Sequence, residues 1–456
     1  MPKLSIIIPV YRMKAQFRQC LASIRRTVRI PYEVIVVDDG SPQGEEPSIA
    51  SFGEDNIRMM RSEEHHSMGH ALRMGVREAD GDVVLFLHAD MMLSPYTVED
   101  MLDALIARPE IGAVSAVTMR MNEHRQFSQP ISYRGWEDFV AAVEQCRSGG
   151  LTMYPTLYLE LFCLMARRGT VQAAGIPDVD YRTPCMTAID YTLRMVRAGY
   201  RLALLPSVYV HHQENDHAQN MEAYDREILA EADLFHEKMG VSLSYSFGVR
   251  GDLFPLMDLS GEGLRVLEIG CACGATLMAI GARNPSAKLY GVELNEKAAA
   301  IAQTYASILA MDVEHVDEND IRERFDYILM PDVIEHLLDP WTALSNMRKL
   351  LVPGGCVIAS IPNVAHISNL YNLLRGMWEY KAAGLLDRTH FRFFTQREIS
   401  LMFQRAGFVI EDMMPRRFEM PAPIMELHKE LLALRSINVH ADDLDAYQWC
   451  VRARRE

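Results

Sequence analysis

At 456 residues the chain has room for two to four domains of roughly 100–200 residues each, and it is too long for a single compact core. Hydrophobic residues at 49% and charged residues at 23% match ordinary globular usage, which excludes disordered, collagen-like and coiled-coil classes. With 61 Asp and Glu against 46 Lys and Arg, a formal net charge of −15 repels a phosphate backbone, so nucleic acid is not an expected partner.

The opening MPKLSIIIPVYR has an apolar run at 4–8 with no small-residue cleavage site, too short for a signal peptide or a bilayer span. Eight scattered cysteines, two inside a Gly-rich loop, fit a reducing compartment better than a disulfide framework. A cytoplasmic protein without a transmembrane segment is expected, with peripheral membrane contact left open. Cys271-Ala272-Cys273 lacks a second pair at zinc-finger spacing and reads as loop-filling thiols.

In chain order, SIIIPV at 5–10, EVIVVDD at 33–39 and DVVLFLHAD at 82–90 are near-continuous apolar runs ending in polar residues, the pattern of buried parallel strands. Between the first two, Phe17, Leu21 and Ile24 mark one face of a helix over 14–27. The logic restarts with RVLEIG at 265–270, KLYGVEL at 288–294, FDYILM at 325–330 and CVIASIP at 356–362. AGFVIEDMM and AYQWCVRAR predict a final antiparallel strand pair, with a helix over 421–435 covering one edge. The sequence therefore predicts an α/β protein of two doubly wound domains, at 1–217 and 263–456, joined by a helical connector over 218–262.

Ligands of open α/β sheets sit beyond the carboxyl ends of strands, and three early strands end in Pro9-Val10-Tyr11, Asp38-Asp39-Gly40-Ser41 and His88-Ala89-Asp90. LSIIIPVY, VIVVDDGS and DGDVVLFLHADMML, in this order, resemble the family 2 glycosyltransferases of the GT-A fold, a resemblance that runs to about residue 215. It implies that Pro9, Tyr11, Asp38 and Asp39 hold the nucleoside of a nucleotide-diphosphate sugar. Carboxylates suit that task because they accept from ribose hydroxyls and base N–H groups. The third strand end is similar to the family's DxD motif, which bridges a divalent cation, Mn²⁺ or Mg²⁺, to the diphosphate; His88 stands in for the first acid and Asp90 remains as ligand. LPSVYVHH at 205–212 looks like the late strand carrying a metal- or phosphate-contacting histidine, and strand alternation favours His212 over His211. Aligned on this family, the usual Glu-Asp pair of the general base falls on Thr187-Ala188. Asp190 is the substitute carried forward as base, with a helix-capping role as its structural alternative; Asp178 and Asp180 lie upstream.

In the second half, VLEIGCACG at 266–274 is a strand running into a glycine turn and then a helix, and about twenty residues later a second strand ends in Glu293, placed to accept from ribose hydroxyls. That much leaves NAD and S-adenosylmethionine as rivals. The ExGxxxG spacing with VELN, FDYILMPDVIEHLLDP and LLVPGG resembles the class I S-adenosylmethionine-dependent methyltransferases, of Rossmann-like fold. The resemblance implies that Glu268, Gly270, Cys271 and Gly274 form the amino-acid and ribose side of the pocket, Glu293 holds the ribose, Asp312 and Val313 flank the adenine, and Pro331 and Asp332 close it. SIPNVAHISNLYNLLRGMWEY and GLLDRTHFRFFTQREISLMFQRAGF look like methyltransferases encoded with bacterial surface-polysaccharide enzymes. A sugar hydroxyl needs a base, for which His390, tuned by Asp387, and His336 are candidates; Glu335-His336 holding a divalent cation is the alternative.

Together these readings predict a bifunctional glycosyltransferase and O-methyltransferase acting on a glycan or lipid-linked glycan acceptor. The alternative is a methyltransferase with a non-catalytic carbohydrate- or nucleotide-binding first domain.

Overall fold

The computed structural model describes residues 2–49, 56–118, 131, 133–213, 221–434 and 440–456, with the side chains of 221–225 outside the description. The chain divides into two compact α/β units, Met1–Tyr245 and Ser246–Glu456.

The first unit is built on strands β1 (Leu4–Val10), β2 (Tyr32–Asp38), β3 (Ile57–Arg61), β4 (Val83–Leu87), β5 (Met91–Leu93), β6 (Ile111–Val117), β7 (Tyr154–Thr156), β8 (Cys163–Arg167) and β9 (Arg201–His212). Their order is β3-β2-β1-β4-β8-β6-β9-β5, with β7 on β9. β1 pairs in parallel with β2 and β4, so three carboxyl ends open on the same side. β8 runs antiparallel to β4 and starts on that side, Cys163 opposite Leu87, and β5 pairs antiparallel with the end of β9. The Lys14–Thr27 helix buries Phe17, Leu21 and Ile24, one apolar stripe at helical spacing, against this sheet. The Met221–Met239 helix, which the sequence reading assigned to a connector, lies in the first unit. Its Glu231 accepts from Thr183 Oγ1 at 2.6 Å, and its Lys238 reaches Asp178 at 2.7 Å and Asp180 at 2.5 Å. Residues 218–220 of the expected connector lie outside the described residues.

The second unit has β10 (Arg265–Ile269), β11 (Lys288–Glu293), β12 (Ser307–Ala310), β13 (Phe325–Pro331), β14 (Leu351–Pro362), β15 (Phe408–Arg416) and β16 (Gln448–Arg455), in the order β12-β11-β10-β13-β14-β16-β15. The first five are parallel and β16 is antiparallel to both β14 and β15. The expected helix near the C-terminus is present over Ala422–Leu432, with its side chains half-buried or exposed. All eight cysteines are free thiols. No helix among the described residues is long and apolar enough to cross a membrane.

Candidate active sites

In the first unit the ends of β1, β2, β4 and β9 enclose a cavity of about 580 Å³, lined among others by Pro9, Tyr11, Asp39, His88, Asp90, Glu160, Arg182 and His212. Antiparallel pairing of Met91 with His212, and the bond from Gln213 N–H to the Asp90 carbonyl at 2.9 Å, bring two distant segments into contact. His212 Nε2 then sits 3.2 Å from Asp90 Oδ2. His211, one residue earlier, points the other way, with Tyr133 and Phe139 around its ring.

Burial by itself would raise the Asp90 carboxyl; the hydrogen bond from His212 and the neighbouring imidazoles outweigh it and hold Asp90 below the usual carboxylate range. Burial likewise keeps His88 below the ordinary imidazole value, against the pull of Asp90, and its Nε2 is enclosed without a hydrogen-bond partner. The Asp90 carboxylate beside the His88 and His212 imidazoles is a donor set that fits a divalent cation.

The two adjacent acids after β2 part company. Asp38 is not among the cavity-lining residues. It is fully buried, its Oδ1 accepts from Ser41 N–H at 3.0 Å and its carbonyl from Ser62 N–H at 2.9 Å, so it ties the turn together. Asp39 turns into the cavity, where Oδ2 accepts from His66 N–H at 3.0 Å and meets His65 Nδ1 at 2.9 Å. The histidines at 65, 66 and 70 escaped the sequence reading because only the packing of the 62–67 segment over β2 places them near an acid.

Asp190 stands apart from this cavity. It is 2% exposed in the middle of the Pro184–Arg197 helix and bound to Arg194, with Nη2–Oδ2 at 2.8 Å. Thr183, not Asp190, caps that helix by accepting from Met186 N–H. The acid that does face the cavity is Glu160, which sequence reasoning missed. β8 carries it there: His88 N–H donates to the Phe162 carbonyl at 2.9 Å, so the residues just before β8 lie beyond the end of β4. Cys185 Sγ approaches Glu160 Oε1 at 3.7 Å, one turn from the Thr187-Ala188 positions where the family resemblance puts its acids.

In the second unit the ends of β12, β11, β10 and β13 lie side by side and carry Asp312, Glu293, the 270–274 loop and Pro331-Asp332. Gly270, Ala272 and Gly274 all have positive φ, at 66°, 47° and 80°, a bend that turns backbone toward the crevice. Glu293 Oε2 accepts from Ala272 N–H at 2.7 Å, which fixes the acid against the loop. Cys271 and Cys273 are buried, at 4% and 0% exposure, and fill the interior behind the bend. Gly291 is what admits Cys271: a Cβ there would meet its Sγ at 2.5 Å. Glu268 is 2% exposed, and burial pushes its carboxyl up to about 8 against the hydrogen bond from Thr276; its Oε2 has no partner. The orphaned oxygen and the bare backbone bend fit the amino-acid end of S-adenosylmethionine.

Arg250, also missed from sequence, joins this floor. It binds Asp332 at 2.5 Å, Ser360 Oγ at 3.1 Å and Asp252 at 2.9 Å, while Asp332 Oδ1 accepts from Gln448 at 2.7 Å. Asp312 caps the short turn 313–315, accepting from Glu314 N–H at 3.0 Å, with Val313 beside it.

His336 and His390 lie edge to face at 4.8 Å between ring centroids. His390 Nδ1 is 3.3 Å from the Leu385 carbonyl, which can only accept, so Nδ1 carries the proton and Nε2 the lone pair. Burial, then the neighbouring His336, keep His390 below the ordinary imidazole value. Asp387 Oδ1 accepts from Thr389 Oγ1 at 2.7 Å, and Thr389 Oγ1 lies 3.2 Å from His336 Nδ1, so Asp387 reaches His336 through Thr389. Glu335, 1% exposed, completes a group whose three ligand atoms lie within 4.8 Å of one another. Neither Glu335 oxygen has a hydrogen-bond partner, and burial raises its carboxyl well above the usual range.

Comparison with known proteins matches residues 5–160 to the glycosyl transferase family 2 model and residues 245–412 to a methyltransferase domain model. The chain thus carries a family 2 glycosyltransferase domain followed by a methyltransferase domain. Among curated relatives, a ubiquinone biosynthesis O-methyltransferase of Nitrobacter winogradskyi is 32% identical over 156 residues, covering 33% of this chain and 58% of the relative. One of Bradyrhizobium diazoefficiens is 38% identical over 105 residues, covering 22% of this chain and 41% of the relative. The chain therefore spans under two thirds of the length of these relatives, all within its second half. Among solved structures, a Pyrobaculum calidifontis mannosyltransferase in complex with GDP-Man and Mn²⁺ aligns with TM-score 0.38 and 21% identity over 50% of this chain and 61% of that one. The N-methyltransferase NodS of Bradyrhizobium japonicum with S-adenosyl-L-homocysteine aligns with TM-score 0.30 and 20% identity over 45% of this chain and 84% of that one.

Proposed function

We propose that the chain is a bifunctional transferase. Its first unit moves a sugar from a nucleotide-diphosphate sugar to a glycan or lipid-linked acceptor. Its second moves a methyl group from S-adenosylmethionine to a glycan hydroxyl. The observation that supports the first half is that Asp39, Asp90, His212 and Glu160 face one cavity although they come from four separate segments.

In this reading Pro9, Tyr11 and Asp39 hold the nucleoside, and Asp90 with His212 and His88 would hold a divalent cation. A cation so bound neutralises charge on the diphosphate leaving group. Glu160 takes the proton of the attacking acceptor hydroxyl, the work an alanine at 188 cannot do. Arg182 lines the same cavity and adds a fixed positive charge for an anionic part of the donor or acceptor.

For the second half, Glu268, Gly270, Cys271 and Gly274 would form the wall for the amino-acid end, Glu293 would take the ribose hydroxyls, Asp312 and Val313 the adenine edge, and Pro331-Asp332 the floor. S-adenosylmethionine, when bound, supplies an electrophilic methyl group. The proton of the acceptor hydroxyl passes to His390 Nε2, with His336 alongside. The relatives' naming as O-methyltransferases supports oxygen as the methyl acceptor. A second reading of the same three side chains, a divalent cation on Glu335, His336 and His390, is favoured by the two unpartnered Glu335 oxygens.

A panel of nucleotide sugars with Mn²⁺ or Mg²⁺, assayed for nucleoside diphosphate release, tests the first half. Turnover of a donor supports it. If no donor turns over while the chain still methylates a glycan, the first unit is a recognition module, a reading favoured by the burial of Asp190 against Arg194.

A further inference from the structure

We propose that Asp39, His66 and His70 form a binding site for a soft divalent transition-metal ion of the Zn²⁺ class, separate from the Asp90 and His212 pair. Asp39 follows β2, His66 precedes the Met68–Glu78 helix, and His70 is in its first turn. His66 stands outside that helix, before its Ser67 N-cap, and its ring stacks on that of His70 at 4.1 Å between centroids and 24° between planes, so a shared ion takes one ring turned out of that stack.

The donor geometry carries the assignment. Asp39 Oδ1 lies 3.6 Å from His66 Nδ1 and 3.4 Å from His70 Nδ1, and one ligand atom from each of the three residues falls within 4.8 Å of the others. A tetrahedral ion with bonds of about 2.0–2.1 Å separates its donors by about 3.4 Å. An octahedral Mg²⁺ at about 2.1 Å would need neighbouring donors near 3.0 Å. Two imidazoles and one carboxylate are ligand types that Zn²⁺, Co²⁺ and Cu²⁺ take readily.

The carboxylate is prepared for this. Asp39 is 3% exposed, and its Oδ2 is held by His66 N–H and faces His65. Its Oδ1 is buried with no hydrogen-bond partner and is the oxygen aimed between the two rings. Orienting one oxygen through a backbone donor while the other stays bare is how outer contacts fix a metal ligand. His66 and Asp39 both line the cavity, so a fourth position is open to water or to a ligand atom. The site does not depend on what the cavity turns over. Because Asp39 also stands in the proposed nucleoside corner, ion and nucleotide would compete, and the test is made without nucleotide.

The full chain, stripped of metal with a chelator, is titrated with Zn²⁺ against a chromophoric competitor and separately with Co²⁺ by visible absorption. Wild type is expected to show the intense bands of four-coordinate Co²⁺. His66→Ala and His70→Ala each lose one equivalent of Zn²⁺ and those bands, whereas Asp90→Asn and the Glu335→Gln, His390→Ala pair keep them. His70→Gln, closer in size, repeats the measurement should an alanine variant melt early. Unchanged stoichiometry in the 66 and 70 variants, or only weak six-coordinate Co²⁺ bands in wild type, overturns the proposal.

Discussion

Asp90 Oδ2 lies 3.2 Å from His212 Nε2 across 122 residues of sequence, because β5 pairs along its whole length with the end of β9. A cation shared by these donors and a diphosphate stabilises the departing charge by several kcal/mol, so Asp90→Asn or His212→Ala should cut nucleoside diphosphate release about 100-fold or more. Rates measured across Mn²⁺ concentrations check this, with a raised metal requirement expected in both variants and a normal melting temperature as control.

In the proposed function Glu160 has a chemical role and Asp190 a structural one. Glu160→Gln should lower glycosyl transfer by about 10²–10⁴-fold, the usual contribution of a positioned base, while donor binding by calorimetry stays within a few-fold. Asp190→Asn should leave the cavity intact and instead lower stability by about 1.5–3 kcal/mol, the range for a hydrogen bond to a charged group, read as a lower denaturant midpoint.

At the methyl-donor crevice, Glu293 accepts from Ala272 N–H at 2.7 Å and from Asn295 N–H at 2.8 Å. Glu293→Gln puts an amide against those donors and weakens its acceptance from ribose, so S-adenosylhomocysteine binding should fall about 10-fold or more, the equivalent of about 1.5–3 kcal/mol for a charged hydrogen bond. Titration calorimetry on the full chain reads the change.

Glu268 gives stability a pH dependence. Its carboxyl ordinarily loses its proton near 4.5, but burial pushes it up to about 8, so across that window the folded state holds a proton that the unfolded chain has released. Its contribution is complete below 4.5 and is lost as pH rises toward 8. Melting of the cofactor-free chain should therefore decline from acid to neutral pH more steeply in wild type than in Glu268→Gln. Equal slopes in the two proteins would contradict the assignment.

The two-unit α/β architecture was legible because its strands are continuous apolar runs that end in polar or glycine turns, as at β1, β2, β4 and β10. Asp39, Asp90 and Glu293 could be picked out because strand ends stay strand ends whatever surrounds them. Glu160, Arg250 and the histidines at 65, 66 and 70 could not, since each reaches its place through a return of the chain, the antiparallel run of β8 or the packing of a loop, which local periodicity does not encode. Asp38 and Asp190 mislead for the related reason that an acid in a motif-like position is sorted by burial: one ties a turn and the other holds an arginine.

Tyr11, at the lip of the first cavity, already carries the His65 ring flat against it, 3.7 Å between centroids and 11° from parallel. A planar heterocycle arriving at that corner finds at most one face of the tyrosine uncovered. Sandwiching between two aromatic slabs there is closed off unless His65 swings aside. For the nucleotide donor proposed above, recognition of the base at that corner then falls to edge contacts rather than to a double stack.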